Sequence, residues 1–256
     1  MTTPSLRIAA QAPGTPEIFR SIQGEGRSAG ETRTFVRLSG CNLHCVWCDT
    51  PYTWNWRGTK WPHDRDAPGV PHKFDRDAET IEMSIEDVAK AVEALPAPGV
   101  VLTGGEPLIQ SAGLEALIAR LKRSNPALLI EVETNGTIAP TPALAEAVDL
   151  FMVSPKLAHG GDRPALALRP AALSAFAGLE NAVFKFVVRE PEDLAEVAAL
   201  AARFDIPAAR IMVMPEGTDS ATLRQREASL RATAEAAGYA WSDRLHIHLY
   251  GDARGT

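Results

Sequence analysis

Cys41, Cys45 and Cys48 fall within eight residues of FVRLSGCNLHCVWCDT, and they are the only thiols in the chain. Three is an odd number for disulfides and one short of a closed zinc site. At C-x3-C-x2-C spacing, on a loop straight after an apolar strand, three thiolates can take three corners of an iron–sulfur cube, because such clusters are held by cysteine. The fourth iron then has no protein ligand and stays open to a small chelator. Structural zinc would need His44 as its fourth ligand, yet His44 directly precedes Cys45 in the same tight loop and closes a tetrahedron with difficulty. Metal-free core cysteines fit poorly beside Asn42, His44 and Asp49. An electron-transfer cluster with four protein ligands would need a non-cysteine donor.

Other strings offer polar groups at the ends of apolar runs. VVLTGGEP leads into Gly104, Gly105, Glu106 and Pro107. The two glycines let a ligand approach the main chain, their carbonyls can accept from an ammonium, and Glu106 has the matching charge. EVETNGT ends in Glu133, Thr134, Asn135 and Gly136, which reads equally as an Asn-Gly turn. VSPK offers Ser154, Pro155 and Lys156, a hydroxyl and a cation suited to a ribose or a carboxylate, or simply a solvated lysine. VMPEG offers Met214, Pro215, Glu216 and Gly217, whose backbone could meet an adenine. SIQGEG places Gln23, Gly24, Glu25 and Gly26 before the cysteine strand. The Gln23 amide and Glu25 carboxylate suit the edge of a pterin or purine, and Arg37 could clamp a carboxylate with two bonds. The alternative for that string is a glycine-rich turn with surface polar residues. His246 and His248 alternate in LHIHLY, which reads as a strand with both imidazoles on one face, as rim or core histidines.

These residues must be positioned by a scaffold. TFVRLS, VVLT, LLIEVET, DLFMVS, AVFKFVV and RIMVMP, with LHIHLY, predict strands buried on both faces, as a parallel sheet covered by helices requires. Amphipathic segments alternate with them. SIEDVAKAVEAL has Ser84 as N-cap with acids in the first turn, and PEDLAEVAALAARF and DSATLRQREASLRATAEAA behave alike. This alternation predicts an α/β protein, either a partial barrel or an open doubly wound sheet. Residues 54–80 break the rhythm: they are polar, lack apolar periodicity, and carry Trp54, Trp56 and Trp61, which favour an ordered lid or an interface. Apolar residues make up 45% of the chain and charged residues 23%, as in soluble globular proteins. The net charge of −6 argues against a broad nucleic-acid footprint. No signal peptide or membrane span is evident, and clustered reduced thiols fit a cytoplasmic protein.

The cysteine loop, with Trp47 before its last cysteine, resembles that of the radical S-adenosylmethionine (SAM) superfamily, in which SAM chelates the open iron and is cleaved to a 5′-deoxyadenosyl radical. The strings from Phe19 to Gly26, Phe35 to Asn42 and Cys45 to Thr50, continuing through TGGEP, ETNGT, SPK and HLYGDARGT, resemble the 7-carboxy-7-deazaguanine synthase family. That resemblance implies one radical SAM domain over 1–256, an α/β partial (β/α) barrel of mostly parallel strands, with a cluster loop at 40–50 and an insertion at about 54–80. It implies hydrogen abstraction from 6-carboxy-5,6,7,8-tetrahydropterin and ring contraction to 7-carboxy-7-deazaguanine and ammonia, on the route to queuosine and other deazapurines. By the same resemblance Ile22, Gln23, Gly24, Glu25, Arg37, Thr103 and Thr256 contact substrate. Gly104, Gly105, Glu106, Glu133, Asn135, Ser154, Pro155, Lys156, Met214, Pro215, Glu216 and Gly217 contact SAM. Cys41, Cys45 and Cys48 hold a [4Fe–4S] cluster, and Thr50 a Mg²⁺ ion. Many family members have Gln at the place of Glu216. A low-potential donor such as flavodoxin or ferredoxin, and a homodimer, are expected partners. The competing readings are a glycyl-radical-enzyme activase of the same superfamily, an iron–sulfur electron carrier and a zinc module.

Overall fold

A computed structural model describes residues 4–256. Among them, strands β1 (Ser5–Ala12), β2 (Thr15–Pro16), β3 (Ile18–Ile22), β4 (Thr32–Leu38), β5 (Thr80–Ser84), β6 (Gly99–Gly104), β7 (Leu129–Thr134), β8 (Leu150–Val153), β9 (Ala182–Val188), β10 (Ile211–Pro215) and β11 (Ala240–Trp241) form one sheet. From β4 through β6, β7, β8, β9 and β10 to β11, every neighbouring pair is parallel and the spatial order follows the chain. A doubly wound sheet reverses its order at a switch point. This one does not, so right-handed crossovers keep the helices on one face and leave the other to curl around a lumen. The result is a mixed α/β fold on a mostly parallel open sheet.

The two faces of each strand separate by period two. Val36, Leu38, Val100, Leu102, Ile130, Val132, Phe151, Val153, Phe184, Phe186, Ile211 and Val213 pack against helical residues such as Val88, Leu117, Leu144, Phe176, Val197 and Leu230. The alternate positions, including Arg37, Thr103, Glu133, Met152, Lys185 and Met214, line a cavity on the lumen side. The expectation of strands buried on both faces holds, but the lumen face carries charge.

The structure corrects the sequence reading at both ends. Strands begin before residue 34: β1 pairs antiparallel with β4 and β5, and β3 with β4, closing the edge of the parallel sheet. The string SLRIAAQA of β1 is alanine-rich and lacks the β-branched signal of a strand. Residues Leu245–Tyr250, read as a strand, form a helix in which Ile247 is buried while Leu249 and Tyr250 stay exposed. Two residues apart on a helix, His246 and His248 point in different directions. His246 faces Glu25 in the lumen, and His248 Nδ1 lies 2.9 Å from Ser220 Oγ.

Residues 54–80 are strapped down rather than free. Asp64 N donates to Val46 O (2.7 Å), and His63 Nε2 lies 2.9 Å from Cys48 O. Trp54 is buried, Trp56 lies under the Arg76 guanidinium, and Trp61 stacks on His44.

Towards the amino ends of the strands the lumen is closed by Arg33, whose Nε donates to Glu131 Oε1 at 2.5 Å, with Ser28 Oγ donating to Glu131 Oε2 at 2.6 Å. Both members of the ion pair are almost fully buried. Removing one partner strands the other charge in low dielectric, so Arg33→Ala is expected to cost about 3–5 kcal/mol. A denaturation midpoint within error of the parent protein would refute that account of the lumen.

Candidate active site

The carboxyl ends of the parallel strands, the loop after β4, the 54–80 insertion and residues 251–256 enclose a cavity of about 360 Å³. Ligand sites of barrels and open α/β sheets lie at this end. All three cysteines line it, unpaired as disulfides. Leu43 N donates to Cys41 Sγ at 3.5 Å, and Asn135 Nδ2 lies 3.9 Å from the same sulfur. Burial pushes Cys41 up to about 12 and raises Cys45 and Cys48 as well. Such thiolates persist only against strong positive charge, so buried, unpaired sulfurs around one wall fit a multi-iron group. Among the described residues no three or more His, Cys, Asp and Glu side chains converge on a single-ion site. His44 is absent from the cavity wall; its ring stacks on Trp61 at 4.2 Å and its backbone N–H donates to Asp162. The imidazole of His44 thus stands apart from the wall that the three thiols line.

The GGEP string serves the protein's own backbone first. Gly105 N donates to Leu38 O (3.0 Å) and Glu106 N to Gly40 O (2.8 Å), which fastens the cysteine loop to the end of β6. A Cβ on Gly104, where φ is +113°, would lie 2.2 Å from Leu38 O, and one on Gly105 would lie 2.0 Å from Gly40 O. Here the close approach expected of a ligand is made by the loop itself. Glu106 is wholly buried and does not reach the cavity. It accepts from Leu108 N, Thr134 Oγ1 and Asn135 N, tying the ends of β6 and β7. These three bonds give Glu106 a structural role at the rim of the site.

Two charged clusters stand at the cavity, above the Arg33–Glu131 pair. Glu25 accepts from Lys185 Nζ (2.5 Å) and Arg244 Nε (2.9 Å), with His246 Nε2 at 3.8 Å. Burial opposes ionisation of Glu25, but Lys185, Arg244 and His246 outweigh it and hold the carboxyl well below its usual range. Arg244 also pairs with Asp49 and donates to Gly217 O. Burial pushes the His246 imidazole below its usual value in spite of Glu25. On the opposite wall Arg37 Nε donates to Glu17 Oε1 at 2.8 Å, and Tyr52 Oη donates to Glu17 Oε2 at 2.9 Å.

Of the residues expected to contact substrate, Ile22, Gln23, Gly24, Glu25, Arg37, Thr103 and Thr256 all line the cavity. So do Gly104, Gly105, Glu133, Asn135, Ser154, Lys156, Met214, Glu216 and Thr50. Pro155, Pro215 and Gly217, like Glu106, do not. Glu133, expected beside SAM, instead accepts from Gln23 Nε2 (3.0 Å) and Thr103 Oγ1 (2.8 Å), both expected beside substrate. Gly24 is demanded by packing, since a Cβ there would lie 2.0 Å from His246 Nδ1. Glu216 pairs with Arg226 and with Arg189, at 3.2 Å from Arg189 Nε. Sequence reasoning missed Glu17, Asp49, Tyr52, Lys185 and Arg244. Lys185 had a visible signal, a lysine alternating with phenylalanines in AVFKFVV; Arg244 meets Glu25 from 219 positions away and had none.

The division of labour in the cysteine loop is testable. Cys45→Ala is expected to abolish iron–sulfur incorporation, whereas His44→Ala, which removes only a ring stacked on Trp61, retains it. Iron and sulfide analysis after anaerobic reconstitution checks both; loss of cluster in His44→Ala would contradict the three-thiol site. Gly105→Ala is expected to lower cluster content by displacing Gly40, although it removes no ligand.

The model of the "Radical SAM superfamily" matches residues 35–224. The chain is 36% identical to the 7-carboxy-7-deazaguanine synthase of Pyrobaculum aerophilum, over 99% of this chain and 98% of the relative. It is 34% identical to that of Halobacterium salinarum, over 94% and 91%. The crystal structure of QueE from Escherichia coli superposes with a TM-score of 0.64 at 27% identity, covering 93% of each chain. Among the described residues no helix is long and apolar enough to cross a membrane. Matched by the superfamily model over most of its length and by these relatives nearly end to end, the chain belongs to the 7-carboxy-7-deazaguanine synthase family of radical SAM enzymes.

Proposed function

We propose that this protein is a 7-carboxy-7-deazaguanine synthase, a radical SAM lyase that converts 6-carboxy-5,6,7,8-tetrahydropterin to 7-carboxy-7-deazaguanine and ammonia. One observation carries the reading: Gln23, Glu25, Arg37 and Thr103 share one small-molecule-sized cavity with all three thiols. Cys41, Cys45 and Cys48 would hold a [4Fe–4S] cluster which, with SAM bound, supplies a carbon radical able to abstract hydrogen.

The chain's own residues bind, orient and shield. Arg37 spends Nε on Glu17 and keeps both Nη groups for a carboxylate. Glu133 is steered by Gln23 and Thr103, and Gln23 Oε1 accepts from Glu25 N at 3.1 Å, so the pterin edge meets a pre-set row of amide and carboxylate groups. Ser154, Lys156, Met214 and Glu216, at the ends of β8 and β10, are where SAM would bind. Lys156 Nζ already lies 2.9 Å from Ser154 Oγ and 5.6 Å from the Trp47 ring. Thr50 Oγ1, beside Cys48 on the cavity wall, offers the hard oxygen that Mg²⁺ prefers, with substrate oxygens and water completing its shell. Arg65, His72 and Phe74 of the insertion and Asp252, Ala253 and Arg254 stand on the cavity wall, where they would limit the access of water to a radical.

That cover also bears on the competing readings. An activase must admit a polypeptide loop, and here insertion and tail meet over the mouth, with Arg65 Nη2 donating to Asp252 Oδ2 at 2.5 Å. An electron carrier would leave the Arg37 and Glu133 constellation idle. A single domain over 1–256, cytoplasmic location, homodimerisation, a flavodoxin- or ferredoxin-like donor and a place in queuosine or related deazapurine synthesis rest on the family resemblance.

Anaerobic reconstitution with iron and sulfide, followed by reductant, SAM, Mg²⁺ and 6-carboxytetrahydropterin, tests the proposal by mass spectrometry. The expected outcome is 7-carboxy-7-deazaguanine without stoichiometric consumption of SAM. Cleavage of SAM to 5′-deoxyadenosine with no deazaguanine would overturn the substrate assignment and leave the superfamily. Arg37→Ala is expected to weaken pterin binding by roughly 30-fold, the loss of about 2 kcal/mol from a charged hydrogen-bonded contact, while SAM affinity stays within twofold. Equal loss of both affinities would show Arg37 to be misplaced.

A further inference from the structure

Glu17 is a wholly buried carboxylate on the cavity wall, and three separate segments of the chain meet on it. Arg37 Nε donates to Oε1 at 2.8 Å from β4. Tyr52 Oη, from the turn following the cysteine loop, donates to Oε2 at 2.9 Å and lies 3.1 Å from Oε1. Gly255 N, from the segment that covers the mouth, donates to Oε1 at 3.3 Å. The backbone of Glu17 is pinned as well: its N–H donates to Ala9 O (2.7 Å) and its C=O accepts from Arg37 N (3.1 Å). A buried carboxylate is costly unless paired and fully hydrogen-bonded, and here every bond it makes holds a part of the cavity. Burial works against the Arg37 charge, but Glu17 outweighs it and raises the guanidinium above its usual value.

The geometry of this contact is selective. Glu17 accepts from Nε of Arg37, and among the described residues nothing accepts from Nη1 or Nη2. The guanidinium is also fixed over the Phe19 ring, with Cζ 5.9 Å from its centroid, and Phe19 in turn stacks on Phe35 at 5.0 Å. A planar fork held at Nε and over one face presents its two Nη groups in a single orientation, which is the arrangement for two-bond recognition of a carboxylate. The same carboxylate reaches the cover. Next to Gly255, the Arg254 guanidinium lies 3.6 Å from the Tyr52 ring centroid and donates to Glu79 at 2.7 Å, so the 251–256 segment bears on both Tyr52 and Glu17.

We propose that Glu17 is a positioning residue that aims Arg37 at the substrate carboxylate and, through the Gly255 amide, latches segment 251–256 over the occupied cavity. Arm and lid are thereby set by one group: a substrate carboxylate that draws on Arg37 is felt at Gly255 through the oxygen they share. This rests on the assignment of Arg37 to a carboxylate-bearing pterin made above.

Glu17→Gln, which keeps shape and removes charge, is the test, with Tyr52→Phe as a second variant that deletes one donor and leaves the carboxylate. In the reconstituted enzyme, Glu17→Gln is expected to weaken 6-carboxytetrahydropterin binding at least tenfold, with SAM affinity within twofold, and to lower the thermal midpoint because Arg37 loses its buried partner. Hydrogen exchange at the Gly255 amide, read on the protein without cluster, is expected to accelerate at least tenfold in Glu17→Gln and to change far less in Tyr52→Phe. In an Arg37→Ala background Glu17→Gln should change pterin affinity several-fold less than in the parent protein, since the part of its effect that acts through Arg37 is already lost and only the latch at Gly255 remains. Parallel losses of pterin and SAM affinity would mark Glu17 as a general structural residue and overturn the proposal. So would additive losses in the double variant. If Arg37→Ala loses pterin affinity and Glu17→Gln does not, the positioning role alone is wrong. If neither variant loses it, the carboxylate contact assigned to Arg37 falls too.

Discussion

The site depends on a backbone seam in which no side chain fits. The end of β4 and the start of the cysteine loop lie against Gly104 and Gly105 so closely that a single methyl group would collide with Leu38 O or Gly40 O. Two hydrogen bonds, from Gly105 N to Leu38 O and from Glu106 N to Gly40 O, close that seam. Glu106 then accepts from Thr134 and Asn135, so the seam extends to β7. Three thiols on a flexible loop would lose much entropy on converging around a cluster. Fastened to two adjacent strand ends, the loop meets much of that cost in folding, and the thiols already face one wall.

Inside the lumen the governing constraint is charge pairing in a low-dielectric space. Arg33 with Glu131, Lys185 and Arg244 with Glu25, and Arg37 with Glu17 form three sets at different depths. The deepest closes the lumen on the protein's own groups. The other two stand at the cavity and leave some of their hydrogen-bonding capacity unspent, notably at the Nη groups of Arg37. A binding site follows when a buried network is complete in charge but not in hydrogen bonds, because a ligand that supplies the missing partners is favoured over water.

The insertion at 54–80 and the segment 251–256 are one construction. Asp64 binds the cysteine loop through its N–H and Arg189 through its carboxylate, Arg65 pairs with Asp252, and Tyr52 and Phe74 receive Arg254. Polar and aromatic contacts replace the apolar periodicity of the barrel, which suits a cover more than a core. It explains why residues with no helical or strand pattern are nonetheless ordered and why Tyr52 and Trp54 are among the most buried aromatic side chains.

The sequence by itself determined the chemistry and the parallel strands. Short-range patterns carry both: thiol spacing within one loop, and apolar strands ending in Gly-Gly-Glu-Pro, Thr-Asn-Gly or Ser-Pro-Lys. The helix over Ile85–Glu93 was legible from its Ser84 cap and apolar stripe, and the structure places both as read. The alternation in Leu245–Tyr250 imitated a strand, but beyond β11 only Ile247 finds a core, and the chain coils. Barrel-like winding was decided by strand order, which no local period encodes. The pairings of Glu17, Lys185, Arg244 and His246, the bonds of Glu133 with Gln23 and Thr103 and the tie that Glu106 makes between β6 and β7 were decided only in three dimensions. Each depends on partners brought together across long stretches of chain, and electrostatic pairing acts through distance in space, of which spacing in sequence keeps no record.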